Sequence, residues 1–87
     1  MGKIVKSEKV VSKEVNGESI LLDLTSGNYF SLNSTANLIW QSLSNHPERS
    51  ELIATVKSMT LNAPADFEIE IEQTIADFCQ LNLANEI

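Results

Sequence analysis

The hydrophobic pattern of this chain changes period once, at Asn33, and that change limits the folds open to it. Before Asn33, apolar residues fall in short, strand-like runs separated by turns; after it, they recur about every 3.6 residues. Val10 and Val11 lie in a β-prone run that ends at Val15. Asn16-Gly17 then supplies the two positive-φ residues that a tight type I′ hairpin needs. The returning run, Glu18 to Leu24, carries Ile20, Leu22 and Leu24 on one face. Thr25-Ser26-Gly27-Asn28 is a second turn, and Tyr29-Phe30-Ser31-Leu32 follows as a third strand. Its Phe30 and Leu32 share the core face, leaving Tyr29 and Ser31 on the other. Strands joined by successive hairpins form a meander, which leaves the third strand at a sheet edge with unpaired amides and carbonyls.

Beyond Asn33 the spacing predicts three helices. Asn33-Ser34-Thr35 offers N-cap side chains, and Ala36, Leu38 or Ile39, Trp40 and Leu43 give a helix ending near Asn45, where His46-Pro47 breaks it. A second helix runs from about Glu48 to Met59 and buries Leu52, Ile53, Val56 and Met59. The segment Phe67 to Glu72 alternates strictly, as a strand would. Its context decides for a helix from Pro64 to about Asn82: no Gly or further Pro interrupts it, and acidic residues crowd its start. On a helical wheel, Phe67, Ile71, Ile75, Phe78 and Leu81 form one apolar stripe, and Ile69, Ala76, Cys79 and Leu83 a second, roughly opposite. One stripe suffices for a small core. The second needs a subunit, the sheet or a ligand.

At 87 residues the chain suits one small domain, and such a domain has little interior for a deep, water-excluding catalytic cavity. Six Lys and Arg face twelve Asp and Glu, a net charge of -6. Residues 1 to 32 are neutral, with Lys3, Lys6, Lys9 and Lys13 against Glu8, Glu14, Glu18 and Asp23, so the surplus lies in the helical part. An acidic surface of this kind repels polyphosphates and anionic membranes. A lone cysteine, Cys79, forms no intrachain disulfide and fits a reducing compartment. The opening MGKIVKSEKVV lacks the apolar stretch of a secretory signal, and no run approaches a membrane span, so a cytoplasmic protein is expected.

Catalytic residues are not evident. His46 and Cys79 are the only imidazole and thiol, and a nucleophile with its base requires them to meet. No zinc-ligand spacing, calcium loop or Gly-rich phosphate loop occurs, so neither metal nor cofactor is expected. Trp40 reads as a core anchor. Tyr29, on an edge strand and turned from the core, either contacts a partner or packs on a neighbouring strand.

The segment Asp23-Leu24-Thr25-Ser26-Gly27-Asn28-Tyr29-Phe30-Ser31-Leu32-Asn33, continued by Ala36, Ile39 and Trp40, resembles the signature of the PqqD family. There, an aspartate-leucine strand end, a glycine turn, paired aromatics and a Leu-Asn helix start lead to Ile-Trp. Proteins of this family are recognition elements for ribosomally made precursor peptides. The resemblance implies an α+β, winged helix-turn-helix fold over residues 1–87, with an N-terminal three-stranded antiparallel sheet followed by three helices. It implies a non-catalytic module to which a precursor leader adds as an antiparallel strand on the third strand, beside the third helix. Asn28, Tyr29, Phe30 and Ser31 would then form the docking edge. Ile75, Ala76, Cys79 and Leu83 would line the groove, with Glu72 and Asp77 as partners for basic leader residues; Ile75 lies between the two stripes and suits either. The wording Ser-Gly-Asn-Tyr-Phe-Ser-Leu-Asn is closer to stand-alone proteins of lasso-peptide clusters than to the protein serving quinone-cofactor synthesis. That likeness implies delivery of the precursor to a leader peptidase and then a cyclase. One departure is Asn82-Leu83, where relatives commonly close the third helix with Gly-Leu.

Two competing readings follow from the same elements. A winged-helix transcription regulator would present the Pro64 to Asn82 segment to DNA, yet that segment holds five acidic residues and no Lys or Arg. A homodimeric assembly module would use the second apolar stripe for a second copy.

Overall fold

The computed structural model describes residues 2–87. Five strands and three helices follow one another: β1 (Ile4–Lys6), β2 (Val10–Val15), β3 (Glu18–Asp23), β4 (Tyr29–Leu32), α1 (Ser34–Ser42), α2 (Arg49–Ser58), α3 (Phe67–Gln80) and β5 (Ala84–Glu86). The fold is mixed α+β. A three-stranded antiparallel sheet in the order β2-β3-β4 comes before the three helices, as the change of period predicts. Asn16 and Gly17 take φ of 53° and 82°, the two left-handed positions of the expected β2–β3 hairpin.

The β3–β4 turn is built on Asp23. Its carbonyl accepts the Gly27 N–H at 2.8 Å and its Oδ1 accepts the Thr25 N–H at 2.9 Å, with Gly27 at φ 79°. At the start of α1, Asn33 Oδ1 accepts the Ala36 N–H at 2.8 Å, satisfying one of the amides that a helix leaves unpaired.

A small two-stranded sheet, β1 with β5, was not legible in the sequence. Three-residue strands are too short to display alternation, and β5 lies after the last helix. The ribbon ties the chain ends to the helices: Ile4 N–H donates to the Pro47 carbonyl at 2.7 Å and Arg49 N–H to the Gly2 carbonyl at 2.6 Å. Arg49 also holds Glu86 in a fork, with Nη2 at 2.7 Å from Oε1 and Nε at 3.2 Å from Oε2, while Glu72 stands 3.9 Å from Nη1.

One contiguous core joins the elements. Ile4, Leu21, Ile39, Leu52, Val56, Ile71, Ile75 and Leu83 are fully buried, and Trp40 meets Phe78 edge-on with ring centroids 5.3 Å apart. Lys6 lies over the Trp40 ring, its Nζ 4.9 Å from the centroid and donating to Ser44 Oγ at 2.8 Å.

Several expectations are corrected. In β3 the buried residue is Leu21, paired with Phe30 across the sheet. Ile20 and Leu22 are half-buried on the other face, and Leu24 lies beyond the strand, 58% exposed. Three consecutive apolar residues hide the pleat phase, which pairing with β4 decides. Met59 was expected in the core, yet α2 ends at Ser58 and Met59 is 60% exposed. Helix α1 stops at Ser42 rather than near Asn45, and α3 begins at Phe67 and ends at Gln80 instead of spanning Pro64 to Asn82. No helix among the described residues is long and apolar enough to cross a membrane.

The Arg49 fork holds the Glu86 carboxyl below its ordinary pKa. A carboxyl depressed by folding contributes stability that is present above its unfolded value and is lost as pH falls through the folded value. In Arg49→Met, Glu86 is therefore expected to titrate in the ordinary glutamate range. The β1–β5 amides are expected to exchange faster at neutral pH. Carboxyl chemical shifts followed through the titration, with hydrogen exchange, check both.

Candidate functional site

The sheet order leaves β4 at one end, paired with β3 alone. Antiparallel pairs alternate between those that exchange hydrogen bonds and those that do not. Asp23 N–H donates to the Asn28 carbonyl at 2.8 Å, and with the register Leu22↔Tyr29, Leu21↔Phe30, Ile20↔Ser31 and Ser19↔Leu32 this fixes the alternation. Phe30 and Leu32 bond inward to β3. The N–H and C=O groups of Tyr29 and Ser31 therefore point out of the sheet, at an edge with no partner strand among the described residues.

Beside that edge runs a cleft of about 210 Å³. Phe30, Ser31, Leu32 and Asn33 form one side, Ala36 the start of α1, and Thr74, Asp77 and Phe78 the wall supplied by α3, with Leu81 at its C-cap and Leu83 beyond the helix. Ala36, Phe78 and Leu83 are buried, so the floor is apolar and belongs to the core. Ser31, Asn33, Asp77 and Leu81 are exposed and form the rim. Asp77 Oδ1 accepts from Gln73 Nε2 at 3.1 Å, and the Thr74 hydroxyl donates to the Glu70 carbonyl at 2.9 Å.

Leu83 reaches the cleft through the turn that ends α3. Asn82 adopts φ 61°, its N–H donates to the Cys79 carbonyl at 3.1 Å, and the Leu83 N–H donates to the Phe78 carbonyl at 2.9 Å. This is a Schellman motif with Asn at the left-handed position, and its apolar contact joins Phe78 to Leu83. The Asn82-Leu83 departure from Gly-Leu thus preserves the cap.

Of the residues singled out in the sequence, Tyr29, Phe30 and Ser31 form β4, with Tyr29 70% exposed on the sheet face away from the helices. Asn28 lies in the preceding turn, its carbonyl taken by Asp23 and its N–H donating to Ser26 Oγ at 3.2 Å. Asp77 and Leu83 line the cleft. Ile75 is fully buried in the core, and Ala76 is exposed to solvent away from it. Glu72 stands near Arg49 on the other flank of α3, where Cys79 is half-buried. Burial, aided by the Glu86 charge and opposed by Arg49, raises the Cys79 pKa. His46 hydrogen-bonds Glu51 at 2.9 Å. Sequence reasoning passed over Thr74, Phe78 and Leu81 as cleft wall, although their i, i+4, i+7 spacing marks one helix face.

The family model of coenzyme PQQ synthesis protein D (PqqD) matches residues 18–84, from the first residue of β3 to the first of β5. The chain belongs to the PqqD family. This PqqD-family chain is also similar to two solved structures. One is TbiB1 in complex with the TbiA(beta) leader peptide, 22% identical, covering 95% of this chain and 96% of that one, with a TM-score of 0.80. The other is lasso peptide synthetase B1 complexed with the leader peptide, 23% identical, covering 97% and 99%, with a TM-score of 0.79. At these identities the likeness shows a shared fold over nearly the whole chain. No curated protein matches the sequence significantly.

The cap that places Leu83 makes a stability prediction. A non-glycine residue without a side-chain amide costs about 1 kcal/mol or more in the left-handed region. Asn82→Ala is expected to lose about that much, while Asn82→Gly holds or gains stability. Urea denaturation followed by the fluorescence of Trp40, which packs on Phe78, measures the difference.

Proposed function

We propose that the protein is a recognition element for a ribosomally made precursor peptide, whose leader segment adds as an antiparallel strand to β4 and lies over the cleft beside α3. The observation that carries this reading is the pair of outward main-chain edges at Tyr29 and Ser31 directly beside an apolar cleft. Strand addition uses those backbone groups for affinity and register, while alternate side chains of the peptide enter pockets that provide selectivity. Family membership and the folds of the two leader-bound neighbours support it.

Residues 1–87 act as one winged helix-turn-helix domain, with β2–β4 as the wing, put to peptide recognition rather than DNA binding. Phe30, Leu32, Ala36, Phe78, Leu81 and Leu83 receive apolar leader side chains. Asp77, on the rim, pairs with a basic one; Glu72 faces Arg49 and is less available to the peptide. The module is non-catalytic, needs no cofactor, works in the cytoplasm and delivers the precursor to modifying enzymes, a leader peptidase and a cyclase of lasso-peptide biosynthesis.

Titrating a fluorescein-labelled synthetic leader, taken from a precursor encoded beside the protein, is expected to show saturable binding; no binding to any such leader overturns the reading. Ser31→Pro removes an outward N–H and leaves the β3 ladder intact, which an edge strand tolerates. It is expected to retain the fold by circular dichroism and weaken the leader roughly ten-fold or more, the effect of one lost main-chain bond plus a clash with the added strand. Phe30→Pro, whose N–H points to β3, is expected instead to disrupt the sheet.

A further inference from the structure

Across the first turn of α1 from the cleft lies a second, shallow apolar hollow of about 330 Å³, lined by Ser34, Thr35, Leu38, Met59, Thr60 and Leu61. Leu61 is 90% exposed, the most of any large apolar residue described, and Met59 is 60% exposed. Their turn is held in shape: the Thr60 hydroxyl donates to the Val56 carbonyl at 2.9 Å, the Thr60 N–H to the Lys57 carbonyl at 3.3 Å, and Asn62 takes φ 56°. The two leucine and methionine side chains are thus presented by an ordered corner rather than by a frayed end, and fold stability does not account for their exposure.

We infer that this hollow is a second subsite for the same peptide, taking an apolar side chain a few residues before the segment that pairs with β4. This rests on the leader-binding reading. Every pairing in the sheet is antiparallel, and antiparallel pairs are the more stable per residue. A strand added in that sense enters beside Leu32 and leaves beside Tyr29. The residues before it therefore pass Asn33, a cleft residue, and meet Ser34 and Thr35, which line the hollow, as the next positions along the chain. Asn33 to Thr35 follow Leu32 directly, so a peptide that advances about 3.3 Å per residue needs only a short stretch before its paired segment to reach the hollow. The rim carries no charged residue, so the side chain it takes is aliphatic or aromatic.

The test compares two synthetic peptides, the full leader and one truncated immediately before its strand-forming segment, against the wild type and a Met59→Ser, Leu61→Ser double variant. Both side chains are exposed, so the variant is expected to fold; its thermal unfolding is measured alongside. The full leader is expected to bind the wild type about five-fold more tightly than the truncated one, and the variant is expected to bind the two equally. Equal binding of both peptides by the wild type overturns the inference and leaves the leader-binding reading standing. So does a five-fold difference that persists in the variant, or a variant that changes self-association in sedimentation velocity but not peptide affinity, which would assign the hollow to a second copy. If neither peptide binds, the leader-binding reading fails and this inference with it.

Discussion

Phe78 ties the end of α3 both to the core and to the turn into β5. Its ring meets Trp40 edge-on at 5.3 Å, joining α3 to α1, and its carbonyl accepts the Leu83 N–H at 2.9 Å, turning the chain toward β5. Because Leu83 and Phe78 meet in the cap, the floor of the cleft is set by the same contacts that close the core. The β1–β5 ribbon holds that turn from outside, with the Ser7 N–H donating to the Leu83 carbonyl at 2.9 Å and Arg49 gripping Glu86. The cleft is therefore a consequence of how α3 ends, and it cannot be reshaped at its floor without loosening the fold.

An unpaired strand edge is a hazard, since it templates pairing with another copy. Here β4 carries no Lys, Pro or charged side chain to prevent it. Two other features do. The strand has only four residues, which limits the bonds that a second copy gains, and the helix wall beside it carries Asp77 on its rim in a chain of net charge -6. Two copies approaching edge to edge bring like charges together, whereas a neutral or basic peptide meets no such barrier.

Much of this arrangement was legible in the residues. Asn16-Gly17 declared its hairpin because few residue pairs accept two positive φ angles, and Asn33 declared the start of α1 because its side chain satisfies a helix amide. The open edge followed from counting hairpins. The face of β3 did not, since Ile20, Leu21 and Leu22 are all apolar and only the partner strand selects among them. The cleft wall on α3 was harder still. A wheel separates the buried stripe from solvent, but it does not distinguish the flank that faces β4, with Thr74 and Asp77, from the flank that faces Arg49, with Glu72 and Cys79. That choice depends on helix packing. Extending the helix to Asn82 also placed Leu83 on the wheel, although it lies past a left-handed turn to which no wheel applies.

The division between floor and rim bears on how such a site acquires selectivity. Main-chain bonds from Tyr29 and Ser31 are the same for any extended peptide, so discrimination must come from side chains. Ala36, Phe78 and Leu83 are committed to the core, and replacing them leaves a cavity or forces the cap apart, costs of about 2 to 5 kcal/mol for a large side chain in a domain with little stability to spare. Ser31, Asp77 and Leu81 are exposed and carry no such burden. On the proposed reading, peptide preference would therefore change at the rim while the floor stays constant. Charge at position 77 and bulk at position 81 are the two properties with the most freedom to vary.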